Sequence, residues 1–315
     1  MKKILICIAA LALALCAAAS AELSIVATDF PCYDFARRVS DGRAQVTMLL
    51  KPGTEAHSFD PTPADILAIS NADLFIYVGG ESDAWAEAIL EGFDGDGPKV
   101  LRMMDCVTDL VEEDEHHHHE EHHHHEDEHD EEHDHEEEGP EYDEHIWTSP
   151  VNAASMVKSV GEALAEVDPD GGAIYTGAAE AYAAEIMDID GQIRDVVAGA
   201  KHHTLVFADR FPFAYFIREY GLDALAAFPS CTADTEPSVQ IVVELIEKVE
   251  QEGIPAVYTI ELSSQTIART VSEETGARVL TLHSMQTVSQ AEFDAGETYV
   301  TLMRRNVEAL REGLQ

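Results

Sequence analysis

Positive charge is what this 315-residue chain has least of: 19 Lys and Arg stand against 61 Asp and Glu, for a formal net charge of -42. A field of that sign repels phosphate backbones and anionic lipid, which excludes nucleic acid and acidic membrane surfaces as natural partners and leaves cations. Cysteine is scarce as well. Cys7 and Cys16 fall in the first 21 residues, and Cys32, Cys106 and Cys231 remain, an odd number that allows one disulfide at most. No Cys-x-x-Cys pair occurs, so a thiolate metal site is not indicated. Nor is the N-terminal apolar run, Ile4 to Ala14, long enough to span a bilayer. It follows Met1-Lys2-Lys3 and leads into Ala19-Ser20-Ala21, the charge, core and cleavage pattern of a secretory signal. We therefore expect residues 1–21 to be removed and the protein to work outside the cytoplasm, in a periplasm or at a cell surface. A lipid anchor at Cys16 is the alternative; Leu15 before it, where lipoprotein processing favours a small side chain, argues against it.

Acidity peaks between Glu112 and Glu144, where 19 acidic residues and no Lys or Arg are interleaved with 11 histidines: His116, His117, His118, His119, His122, His123, His124, His125, His129, His133 and His135. Nothing apolar there offsets the entropy of ordering the backbone, so residues 112–144 are expected to form a disordered loop interrupting a folded lobe. Imidazoles in that density make an accessory metal-gathering loop of many weak sites, whose hold loosens as they protonate near pH 6.5. The literal His-Glu-x-x-His strings at His119 to His123 and at His125 to His129 are chance matches in a repetitive tract, without the amphipathic helix and distant third ligand that a metalloprotease needs.

On either side of the tract the pattern alternates. Leu23 to Thr28, Val46 to Leu50 and Leu74 to Val78 read as strands, with helices from Phe30 to Val39 and from Pro63. Beyond it come helices from Asn152 to Glu166 and from Ile174 to about Ala198, the second long, Ala-rich and suited to a rigid connector. Strand and helix then alternate again through Thr204 to Ala208, Phe213 to Tyr220, Val239 to Glu250, Ala256 to Ile260, Ser264 to Thr275, Val279 to Leu282 and a final helix from Glu297. Such alternation predicts α/β architecture in two lobes, each a mostly parallel sheet flanked by helices. The boundaries are 22–168 for the N-terminal lobe, 169–200 for the linker helix and 201–315 for the C-terminal lobe.

Three histidines outside the tract, His57, His145 and His283, lie at strand ends or in the loops beside them. Ligands collect beyond the carboxyl ends of parallel strands, and three converging imidazoles suit zinc. Taken singly, each also fits an exposed loop histidine. His202-His203 reads as surface.

Lys51-Pro52-Gly53-Thr54-Glu55-Ala56-His57-Ser58-Phe59-Asp60-Pro61-Thr62-Pro63-Ala64-Asp65, with Asn71-Ala72-Asp73-Leu74-Phe75 and Gly79, resembles the first signature of the zinc/manganese-type solute-binding proteins of ABC transporters. Asp143-Glu144-His145-Ile146-Trp147-Thr148-Ser149-Pro150 resembles the second. The likeness covers essentially the whole mature chain. It implies that His57 and His145 are metal ligands and that the cleft between two lobes holds the ion. The position of the third ligand, usually His, is Arg210 here, and a guanidinium has no lone pair to give. The fourth ligand, usually an acid, falls in Thr281-Leu282-His283-Ser284-Met285, where His283 can take its place; water, Glu261 or Asp209 would complete the set. Arg210 would then brace the site by pairing with one of those acids, or form an ordinary ion pair. Glu236, before Pro237, reads as a structural acid at a helix entry.

The expected function is capture of a divalent cation, zinc before manganese because nitrogen dominates the ligand set, and its delivery by a monomeric receptor to an ABC permease. Copper and nickel bind such ligands as well. No nucleophile and base stand in a catalytic arrangement, so no enzyme is expected. A metal-storage protein built on the tract and a surface adhesin are the competing readings.

Overall fold

The computed structural model describes residues 23–93, 95, 97–112, 141–228 and 237–315. The expected signal segment with Cys16, the eleven tract histidines, Cys231 and Glu236 lie outside the described residues. The thiols of Cys32 and Cys106 are free.

Two four-stranded sheets, parallel throughout, form the frame. The first takes the order β2-β1-β3-β4 from β1 (Leu23–Ala27), β2 (Ala44–Met48), β3 (Leu74–Tyr77) and β4 (Lys99–Arg102). The second repeats it as β6-β5-β7-β8 from β5 (Thr204–Phe207), β6 (Asp223–Ala226), β7 (Ala256–Thr259) and β8 (Arg278–Thr281). β3 and β7 are buried along their whole length, as strands covered on both faces must be, and both are apolar but for Thr259 at the end of β7. The chain reverses its direction of travel across the sheet between β1 and β3, and again between β5 and β7. Each lobe therefore opens a crevice beyond the carboxyl ends of those strands.

Helices begin where the sequence supplies a cap. Asp29 accepts the N–H of Cys32 at the start of α1 (Phe30–Val39), Thr62 and Asp65 close a capping box on α2 (Pro63–Ser70), and Ser149 caps a helix at Pro150–Val167. Among the described residues, two α-helices and two strands escaped the sequence reading: the helix Ala84–Glu91, the edge strands β4 and β6, and the helix Gln290–Ala295. The edge strands are four residues long with exposed or half-buried side chains, too short for a period to show.

The long helix Gly172–Ala198 is more than a connector. It buries Tyr175, Tyr182, Ile186, Ile189 and Ile193 and lies against the Pro150–Val167 helix so closely that a Cβ at Gly161 would stand 2.7 Å from that of Ala179. One continuous core runs from the first sheet through this helix into the second and the C-terminal helix Tyr299–Gly313, with a smaller cluster behind each sheet. Buried carboxylates pin the lobes to it. Asp34 of α1, fully buried, accepts Tyr182 Oη at 2.6 Å and the Tyr299 N–H at 2.9 Å, and Asp190 accepts Tyr220 Oη at 3.1 Å.

Candidate metal centre

The first lobe brings His57, Glu144 and His145 together, with one ligand atom from each lying within 4.8 Å of the others. His57 comes from the loop between β2 and α2. Glu144 and His145 immediately precede the turn Ile146–Thr148 that feeds the Ser149-capped helix. The imidazole centroids are 5.7 Å apart.

Each group is held by a neighbour. Asp143 Oδ1 accepts both the His145 backbone N–H at 2.7 Å and its Nδ1 at 3.1 Å. A carboxylate oxygen only accepts, so Nδ1 carries a proton, and in the neutral ring the lone pair is on Nε2. The Glu144 carboxylate takes the Ser82 N–H at 3.0 Å and the Ser82 hydroxyl at 2.5 Å, and that hydroxyl lies 2.6 Å from His57 Nδ1. Gly80 makes room for this arrangement at φ +85°: a Cβ there would meet Glu144 at 2.9 Å. Burial holds the His57 pKa below its ordinary value against the pull of Glu144, keeping the ring in the neutral form that can donate to a cation.

Behind the site is a pocket lined by Asp29, Asp83, Glu144 and Trp85. Burial pushes the carboxyls of Asp29 and Asp83 up to about 7, helped by repulsion from Glu144 on Asp29 and from Asp29 and Glu144 on Asp83. Asp83 still accepts the N–H groups of Val78 and Gly79 at 2.8 and 3.2 Å, which locks the turn carrying Ser82.

From the second lobe, the side chain that meets His57 is Gln286, whose amide nitrogen lies 3.3 Å from Nε2. His283 is not brought into this cluster. Asn306 brackets its backbone at 2.7 and 2.8 Å, its Nδ1 accepts the Met285 N–H at 3.0 Å, and its Nε2 faces Glu292 at 3.8 Å within its own lobe. Glu261 spends its oxygens on the N–H and hydroxyl of Ser284, at 2.7 and 2.5 Å, and Asp209 accepts the N–H groups of Arg210 and Ile260 at 2.9 and 3.4 Å. The Arg210 guanidinium reaches across the cleft to Glu55 at 2.7 Å, the inter-lobe ion pair that stood as the alternative to bracing Glu261 or Asp209. Glu144 and Gln286 were the residues that sequence reasoning missed. Glu144 sits beside a histidine of the second signature, and that adjacency was the available signal; Gln286 had none.

Further contacts close the cleft: Trp147 Nε1 donates to the Ser284 carbonyl at 2.8 Å, Tyr215 Oη to the Asp143 carbonyl at 2.7 Å, and the Gly53 N–H to the Val288 carbonyl at 2.8 Å.

Residues 25–313 match the family model for ZnuA, the periplasmic component A of a zinc-uptake complex. Among curated relatives, the high-affinity zinc uptake system protein ZnuA of Bacillus subtilis is 30% identical over 294 residues, covering 93% of this chain and 88% of the relative. The zinc-binding lipoprotein AdcA of Streptococcus pneumoniae is also 30% identical over 294 residues, but the chain spans only 56% of its length. The crystal structure of the Zn(II)-bound ZnuA-like domain of that AdcA superposes with a TM-score of 0.75 at 27% identity, covering 93% of this chain and 99% of the domain. The metal-dependent lipoprotein YcdH from B. subtilis superposes at 0.76 with 25% identity, covering 93% of this chain and all of the other.

Proposed function

Because the chain belongs to the ZnuA family of zinc-uptake components, we propose that it captures zinc outside the cytoplasm, between its two lobes, and hands it to an ABC permease. The observation that carries this reading is the His57–Glu144–His145 cluster. Two imidazoles and a carboxylate form a donor set that zinc takes in its open, three-ligand sites, with a fourth position left over. Water or the Gln286 amide oxygen fills that position once the amide swings off His57 Nε2. Nitrogen-rich ligation ranks zinc ahead of manganese, the other cation of this reading.

The second lobe contributes closure more than charge. Arg210 cannot ligate, and its pairing with Glu55 leaves no net charge at that edge of the cleft. Among the described residues no helix is long and apolar enough to cross a membrane. Release of an intact ion needs no bond to break, so the activity is binding.

Calorimetric titration of the chain with zinc tests the reading. One tight site is expected, lost in His57→Ala and His145→Ala, weakened in Glu144→Gln and retained in His283→Ala. Binding that survives both of the first two substitutions would move the site elsewhere. The storage reading rests on the eleven tract histidines, and a variant lacking residues 113–140 separates it: a receptor keeps its one tight site, a store loses nearly all of its capacity.

A further inference from the structure

We infer that Ser82 is the positioning residue of this site: its hydroxyl selects the tautomer of His57 and so presents Nε2, rather than Nδ1, to the cation. The inference rests on the metal-binding reading above and adds a residue to it.

Ser82 sits in the turn Glu81–Asp83, directly after Gly79 and Gly80, both at positive φ. The Asp83 carboxyl clamps that turn from below through Val78 and Gly79, so the serine is delivered to one place. Its Oγ stands 2.6 Å from His57 Nδ1 and 2.5 Å from Glu144 Oε1. A hydroxyl has one proton to give. If it went to Nδ1, hydroxyl and carboxylate lone pairs would oppose each other at hydrogen-bonding distance, a repulsion with nothing to offset it. The proton therefore goes to Glu144, the oxygen lone pair accepts N–H from Nδ1, and the His57 lone pair is left on Nε2.

The opposite edge of the ring agrees independently. There the amide nitrogen of Gln286 faces Nε2 at 3.3 Å. An amide N–H donates, so Nε2 must accept; the other tautomer would set two donors against each other. The chain Glu144–Ser82–His57 is thus a carboxylate–hydroxyl–imidazole relay, the counterpart of the direct Asp143–His145 contact on the second ligand. Both imidazoles present Nε2, each oriented by a carboxylate, and one of them works through Ser82. The consequence for capture is that the arriving cation competes with the Gln286 amide and not with a ring proton.

The test uses the full chain with 15N-labelled histidine, free of metal, in wild type, Ser82→Ala and Ser82→Thr. Long-range 1H–15N spectra report which ring nitrogen carries the proton, and His57→Ala assigns the signal by its loss. The wild type is expected to show the proton on Nδ1, Ser82→Ala to lose that preference, and Ser82→Thr to restore it. Zinc affinity should fall by roughly 10- to 100-fold in Ser82→Ala, the range for removal of a group that orients a ligand, and recover in Ser82→Thr. A wild-type proton on Nε2, or Ser82→Ala with unchanged tautomer and affinity, overturns the inference. Wild-type protein that binds no zinc while its tautomer responds as expected would sink the metal reading alone and support the role of Ser82.

Discussion

Arg210 of the second lobe and Glu55 of the first meet at 2.7 Å across the cleft, two residues along the loop from His57. Both side chains are about a third exposed, so the pair adds no more than about 1 kcal/mol to stability. Its electrostatic effect on the site is the larger one. The guanidinium opposes positive charge at His57, and Glu55 favours it. Arg210→Met should therefore bind zinc more tightly, by about tenfold, since a unit charge several ångströms from a divalent ion, screened at a dielectric close to that of water because the pair is partly exposed, is worth on the order of 1–2 kcal/mol. Calorimetry at low and high salt checks this, and the gain should shrink as salt screens it. Weaker binding in the variant would mean that Arg210 serves chiefly to hold the lobes together.

Asp83 makes stability depend on pH in an unusual direction. Unfolded, its carboxyl loses its proton near 3.8; folded, it keeps the proton to about 7, mainly because it is buried and partly because Asp29 repels it. Between those values the folded state binds more protons than the unfolded one, so this group lowers stability as pH rises from about 4 to 7 and holds it lower above that. An amide at the same position can accept from Val78 and Gly79 without ionising. Asp83→Asn should therefore gain on wild type as pH rises, by on the order of 2–3 kcal/mol between pH 5 and pH 8. Urea unfolding at the two pH values measures the difference. A constant difference would show the carboxyl ionised in the fold at both.

Gly80 and Gly42 make a matched pair, since both have positive φ, +85° and +73°, but only Gly80 is crowded by Glu144. Gly80→Ala should lose about 1–2 kcal/mol of stability and most of the zinc affinity, because the new methyl displaces the carboxylate. Gly42→Ala should show the backbone cost alone, roughly 1 kcal/mol, with binding intact. Equal zinc affinity in the two variants would show that Glu144 does not depend on that space.

Much of the fold was legible because its signals are local. Thr62-Pro63 with Asp65 spells a helix start in four residues, and Leu74 to Tyr77 is apolar throughout because both of its faces are covered. The edge strand Asp223–Ala226 was not legible, since four residues that are half exposed carry no period. His57 and His145 were picked out by chain position and by resemblance, and the fold brings them together with Glu144. His283 was picked out by the same reasoning; Asn306, 23 residues further on, brackets its backbone, and its Nε2 faces Glu292 of its own lobe.

The amino-acid sequence by itself determined the two parallel sheets, the capped helices between them, the acidic and histidine-rich composition and the family. All of these depend on residues near one another in the chain or on overall makeup. Only the tertiary structure decided which side chains share the site. Ser82 finds Glu144 across 62 positions, Arg210 finds Glu55 across 155 and Gln286 finds His57 across 229, and no local pattern encodes such separations. The partner of each buried donor or acceptor is set by which loops the packed core brings to one place, and leaving such a group unpaired costs enough that every alternative pairing is disfavoured.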